Sequence, residues 1–441
     1  MKINADSQTN SSVWSYELVR AADQFVAQAT SIAEINHGVI PEMEAKADPH
    51  GMDSLEEVYK HLSAEDLDEF SRIARKLAQG ILEYVDHSEK GGSVKPFTLK
   101  VRGSAGAALN HMIAYSSRFL SADPQHQLLR NSLLVSSISG FEILFGCIAR
   151  AILKVNRAAF KESDHGFTLQ QLSEFDSLSD AQEFLIERQV SKLLHESIDG
   201  WDKWIKQASG GLCMSNLPVD WMVIREGFAR RNLMVHADGV VNQLYLGALK
   251  KLDARRDWGA QTGERLNVGE EYLSRFLQEL IALGRLLSVA VGCRMHKRDE
   301  SFFLGSIQMD IYRSTMSQSW RTVIALSEYS MRCNPPRVKR IQAQVSSWVA
   351  RKALFGLDEI KDEVESWDVT GLAVEYSHCK SVLLDNKEEA IAQIRRLLAT
   401  KKLTVFEVAV NPLYGELREF LADGSPDRLP AEVENSGEDP G

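Results

Sequence analysis

The sequence predicts an all-α chain, and three observations lead there. Apolar residues recur at three- and four-residue spacing along most of its 441 residues. Proline numbers only 11, so few stretches are barred from continuing as helix. Ser and Asp precede several of the periodic runs and Gly follows several, as helix starts and stops require. Hydrophobic residues at 44% and charged residues at 25% are ordinary for a globular chain, and the length suits two to four folding units. The expected organisation is an N-terminal helical region over 1–122, a four-helix bundle over 123–295, a solenoid-like helical array over 296–425 and an acidic flexible tail over 426–441.

An amphipathic helix is expected from about Ser12 to Ile35, with Val13, Tyr16, Leu18, Val19, Ala22 and Phe25 on its apolar face. A loop rich in Gly, Pro, Asp and His follows over 37–52. Asp53 and Ser54 can cap a second helix through Leu62, and Ser63-Ala64-Glu65-Asp66 can open a third that reaches about Val85. Gly91-Gly92-Ser93 breaks the pattern, and 97–101 suits a short extended piece.

In the middle third, Asp123-Pro124 marks the start of a strongly apolar helix to about Lys154. Ser179-Asp180 is expected to cap a second helix that runs to Trp204, and Gly210-Gly211 ends it. Pro218-Val219-Asp220 introduces a third, carrying Trp221, Ile224, Phe228, Leu233 and Val235, with Gly239 as its stop. A fourth occupies about Gly269 to Val291. Beyond Met309, helical segments near 317–333, 337–355, 357–367, 369–384 and 387–399 alternate with short breaks. Residues 385–398 have the rhythm of a degenerate tetratricopeptide half-repeat.

The formal net charge of −10 argues against a surface wholly given to nucleic acid, while leaving room for a local basic groove. Five widely spaced cysteines and no CxxC exclude a zinc ribbon or thioredoxin-like motif and suit reduced thiols in the cytoplasm. The polar N-terminus lacks the apolar core of a signal peptide. Residues 133–153 have a membrane span's hydropathy, but Glu142 and Arg150 favour a buried core helix, so no membrane is expected. No phosphate-binding GxxxxGK[ST], no HExxH and no metal-ligand cluster is present, so neither cofactor nor metal is expected.

The stretch that can carry chemistry is Arg230-Arg231-Asn232-Leu233-Met234-Val235-His236-Ala237-Asp238-Gly239. Asn232 and His236, four apart on a helix, share a face. Arg231 lies about 100° round from Asn232, within reach for a long side chain. An imidazole that titrates near neutrality, a guanidinium and an amide together suit phosphodiester chemistry. The Arg-to-His spacing alone is common: Arg188 and His195 satisfy it too. Each residue also has a structural role open to it. Arg231 can pair with Asp238 or Glu226, His236 can satisfy a carbonyl near the helix end, and Asn232 can tie helices together. Glu142 can hold an Arg or Ser within the bundle, Asp238 can bond local backbone in a turn, and Tyr245 can serve packing. The basic run Lys250, Lys251, Arg255 and Arg256 can line an RNA-binding rim or be a solvated loop face.

The order Arg-Asn, three apolar residues, His, then Asp238-Gly239-Val240-Val241-Asn242 and Tyr245-Leu246, resembles the signature of HEPN domains. Phe141-Glu142 resembles part of the first helix of that bundle and 180–204 its second, so the resemblance spans about 124–292. Ala237 stands where many relatives carry a polar residue. The resemblance implies a metal-independent endoribonuclease that acts as a homodimer, with two Arg…His motifs facing one cleft. It assigns His236 as general base or acid at the ribose 2′-hydroxyl, Arg231 to phosphate charge and Asn232 to orientation. Arg230, Asp238 and Glu142 would support them. RNA is the implied substrate, and a bacterial toxin or anti-phage defence effector, with an antitoxin or defence partner, is the implied setting. The rival expectation is an inactive HEPN module for dimerisation or RNA holding within a helical scaffold.

Overall fold

The computed structural model describes residues 4–46, 60, 62–73, 75–76, 103–104, 106–108, 110, 125–156, 159 and 167–418. The chain is all-helical, and among the described residues there is no strand; Val240 and Arg265 form one isolated antiparallel bridge. The helices are α1 (Asn4–Glu34), α2 (Ile40–Lys46), α3 (Gln125–Val155), α4 (Leu178–Leu194), α5 (Ile198–Ala208), α6 (Trp221–Ala237), α7 (Gln243–Leu252) and α8 (Glu270–Met295). After these come α9 (Glu300–Met316), α10 (Trp320–Arg332), α11 (Arg337–Phe355), α12 (Lys361–Ser366), α13 (Val374–Leu383), α14 (Lys387–Ala399) and α15 (Val405–Val410). Two compact units divide the chain, one of 1–33, 135–266 and 271–441, the other of 34–134 and 267–270.

In the smaller unit the expected loop at 37–52 is in part helical. A π-helical turn over Ile35–Val39 leads directly into α2, which accommodates Pro41 in its first turn, where no helical N–H is needed. Arg130 is 5% exposed there and is held by the Asn36 side chain and the Glu44 carboxylate. Asn36 in turn donates to the Glu270 carbonyl at 3.1 Å, so this buried polar group is satisfied. The Ser63 hydroxyl accepts from the Asp66 N–H and opens a helix described over 64–73, as expected. The expected cap at 53–54, the extended piece at 97–101 and the acidic tail lie outside the described residues.

The larger unit is built round α8. Sixteen consecutive or near-consecutive positions between Leu273 and Gly292 are buried, including Phe276, Leu280, Leu283 and Leu287. Aromatic rings from its neighbours form the adjoining core. Phe145 stacks on Trp201 at 4.3 Å between centroids, and Phe141, Trp201 and Phe228 meet edge-on or tilted at 5.8–6.3 Å. Phe25 of α1 joins Phe141 at 5.8 Å. α1 therefore buries Leu18, Ala22 and Phe25, whereas Val13 and Tyr16, expected on the same face, are 55% and 63% exposed. Ser15 is buried in their place and donates to Asp299 at 2.5 Å.

The expected single helix to Trp204 is two. α4 ends with His195 as its cap, and Ser197 starts α5 by accepting the Gly200 N–H. The N-cap of α4 is Ser177, which accepts the Asp180 N–H, and not Ser179. α3 and α8 are long and apolar enough to cross a membrane by length and composition, but 61% and 89% of those windows are buried against protein.

From α9 onward, helices pack in succession. Trp348, Val349, Ile360, Val364 and Leu383 make one core cluster, and Val382, Ala390, Ile394, Val408, Tyr414 and Leu417 make the next. Arg285 of α8, 2% exposed, faces Asp23 of α1 at 2.5 Å and Asp310 of α9 at 2.8 Å, an ionic link across three helices.

Candidate functional site

α6 positions the site, and its limits follow from local chemistry. Asp220 caps the start by accepting the Val223 N–H at 3.2 Å. The end is a left-handed turn: Asp238 has φ of 49°, Gly239 has φ of 76°, and both N–H groups return to the Leu233 carbonyl. At Gly239 the turn demands glycine, since an added Cβ would stand 2.9 Å from the Leu266 carbonyl oxygen. α6 is seated on α8 at Gly227, where the Phe276 ring occupies the space of a Cβ at 2.0 Å.

Asn232 and His236 are both exposed on one face of α6, one turn apart. No described residue makes a hydrogen bond or ion pair with the His236 ring. Arg231 lies on a different side, about 140° round the helix from His236. Its side chain bridges: one amino group donates to the Asn232 side-chain oxygen at 3.1 Å, and the other faces the Glu142 carboxylate of α3 at 3.4 Å. Its Nε is buried without a hydrogen-bond partner among the described residues. Arg231, Asn232 and Glu142 are thus brought together, with His236 on the adjoining exposed turn. Neither Asp238 nor Glu226, the partners open to Arg231 in the sequence, pairs with it.

Arg230 belongs to a separate, inward-facing cluster. It donates to Glu226 at 2.8 Å and lies over the Tyr272 ring at 4.0 Å. The Tyr245 and Tyr272 hydroxyls also donate to Glu226, at 2.7 and 2.5 Å. Burial works to lower the Arg230 pKa, but Tyr272, Glu226 and Tyr245 offset it and leave it above the usual arginine value. Burial and then the Glu226 charge raise both tyrosines above their ordinary value, so all three groups keep their protons. The sequence marks Glu226 only as a possible partner of Arg231 and Tyr245 only as packing, and Tyr272 carries no motif at all. The i,i+4 spacing of Glu226 and Arg230 is the one local signal of the cluster.

Asp238, beyond the helix end, pairs with Arg265 at 2.9 Å. Lys250 and Lys251 end α7, and Arg255 and Arg256 lie in the exposed loop after it. Arg256 stacks on Trp258 at 4.6 Å and reaches Met222 Sδ at 3.4 Å. Met222 is fourteen residues before His236, so this contact is about 20 Å from His236 along α6. The rival pair is spent locally: Arg188 lies 5.8 Å from the Phe167 ring centroid, and His195 Nδ1 bonds the Ser191 carbonyl at 2.7 Å. Among the described residues no group of three or more His, Cys, Asp or Glu could hold a metal ion. No protein-family model, no curated protein and no solved structure matches the chain.

Proposed function

We propose that the chain is a HEPN-type endoribonuclease whose bundle comprises α3, α4 with α5, α6 and α8, followed by a solenoid-like array. The observation that carries this reading is the exposed pair Asn232 and His236 on one face of α6, with the Arg231 guanidinium reaching Asn232. In this reading two copies of the chain face each other across the site. One His236 imidazole takes the proton of a ribose 2′-hydroxyl, and the freed oxygen attacks the adjacent phosphorus. The 5′-oxygen leaves with a proton from the second His236, so the charges balance. Arg231 offers its donor fork to the phosphate, where charge accumulates in the transition state. Glu142 orients Arg231. The products are a 2′,3′-cyclic phosphate and a 5′-hydroxyl, and no metal takes part. The setting is a cytoplasmic toxin or defence effector held in check by a partner.

A second reading has its own support. Glu142 engages Arg231 within a single copy, as a purely structural ion pair would. On that reading the bundle dimerises or holds RNA without cutting it. Expression in cells separates the two. The nuclease reading expects growth arrest relieved by Arg231→Ala at equal protein level; arrest that persists in that variant counts against the assigned site.

A further inference from the structure

The C-terminal array encloses a cavity of about 370 Å³ that the proposed nuclease site does not use. Its walls come from α9, α11, α13 and the segment from the end of α14 to Tyr414. Three tyrosines line it: Tyr312, Tyr376 and Tyr414. Tyr312 is 55% exposed and Tyr414 is 3% exposed, so aromatic surface runs from the mouth to the floor. The floor is polar but closed on itself. His378 Nδ1 donates to the Val374 carbonyl at 3.2 Å, and in the neutral ring Nε2 accepts from the Tyr414 hydroxyl at 2.7 Å. Cys379 is buried beside them, and burial pushes its thiol up to about 12, which excludes thiolate chemistry at neutral pH.

The remaining wall chemistry narrows the occupant. Gln342 presents an exposed side-chain amide that can donate and accept, and Asn411, whose amide oxygen already accepts the Leu413 N–H at 3.0 Å, keeps its amide NH2 as a donor. The charged lining is one Lys402 and one Glu407, so it carries no cation cluster of the kind a polyphosphate requires. The volume lies at the low end of the range for small-molecule sites. A hydrocarbon ligand would displace water from the Asn411 NH2 and the Gln342 amide and offer no hydrogen bond in return. A flat, uncharged molecule with donors and acceptors on its edge satisfies both the rings and the amides.

We infer that this cavity binds an uncharged heteroaromatic ligand of nucleoside size, stacked against the tyrosines and read at its edge by Gln342 and Asn411. The test is calorimetric titration of the full chain with adenosine, guanosine, cytidine and uridine, with adenosine monophosphate as the charged comparison. Two variants are used with it. Tyr312→Ala removes an exposed ring, and Ser346→Trp fills the cavity from α11. The expected result is micromolar binding of at least one nucleoside, weakened more than tenfold in both variants at unchanged helical content, with no tighter binding of the monophosphate. Absence of binding at millimolar nucleoside overturns the inference. So does binding that both variants leave unchanged, binding of the monophosphate alone, or capture of only an apolar dye. If Ser346→Trp fails to fold, Tyr312→Ala decides alone.

Discussion

Glu226 collects three donors on two oxygens while only 6% exposed, and this is where single residues matter most to the frame behind the site. A neutral amide there would keep the shape but leave the Arg230 cation without its counter-charge. Glu226→Gln is therefore expected to cost about 3 kcal/mol, the scale for breaking a buried ion pair. Tyr245→Phe, which removes one donor, is expected to cost about 1 kcal/mol. Chemical denaturation measures both, and equal stabilities for the three proteins would show that the cluster anchors nothing. Asp310 gives a second residue-level prediction. Burial raises its pKa from 3.8 to about 6, against the pull of Arg285. The folded state therefore holds a proton that the unfolded chain has lost in the window between these values. Stability from this group is fully present below about pH 3.8 and is lost as pH rises through about 6. The melting temperature of the wild type, relative to Asp310→Asn, should rise as pH falls from 7 to 5; a flat difference would contradict the assignment.

At the scale of elements, α6 was readable because its start and stop are local. Asp220 and the Asp238-Gly239 turn lie within the chain segment whose geometry they set. The break between α4 and α5 was not readable, because Ser197 looks like an ordinary helix residue until its hydroxyl is seen to accept the Gly200 N–H. The helix over 40–46 is hidden in the sequence for the opposite reason: Pro41 and nearby Gly38 suggest a loop, while the π-turn carries the chain through. The Glu226 cluster joins α6, α7 and α8, and no single-segment periodicity encodes such a meeting. Two glycines test how the elements are seated. At Gly227 a methyl group would strike Phe276, so Gly227→Ala should destabilise by about 2 kcal/mol or more. At Gly247 of α7 nothing stands within 4 Å, so alanine there should stabilise by up to about 1 kcal/mol through helix propensity. The opposite signs are the expectation for thermal melting, and matching signs would contradict the packing of α6 on α8.

For the whole molecule, the proposed chemistry requires two copies. Ile143, next to Glu142 in the chain, and Val235, next to His236, are 67% and 49% exposed. Apolar side chains beside a charged site are suited to contact with a second copy. Sedimentation should find a dimer, and Ile143→Asp combined with Val235→Asp should yield a monomer of unchanged helical content. A wild-type monomer that cuts RNA would rule out the shared cleft. The central claim concerns His236 itself, and one measurement reaches it most directly: cleavage of a defined single-stranded RNA with divalent metal chelated, comparing wild type with His236→Ala. The account predicts wild-type products ending in 2′,3′-cyclic phosphate and 5′-hydroxyl, with activity in His236→Ala reduced at least about a hundredfold, as loss of a general acid–base entails. Equal cleavage by the two proteins, or no cleavage by the wild-type dimer, would contradict it.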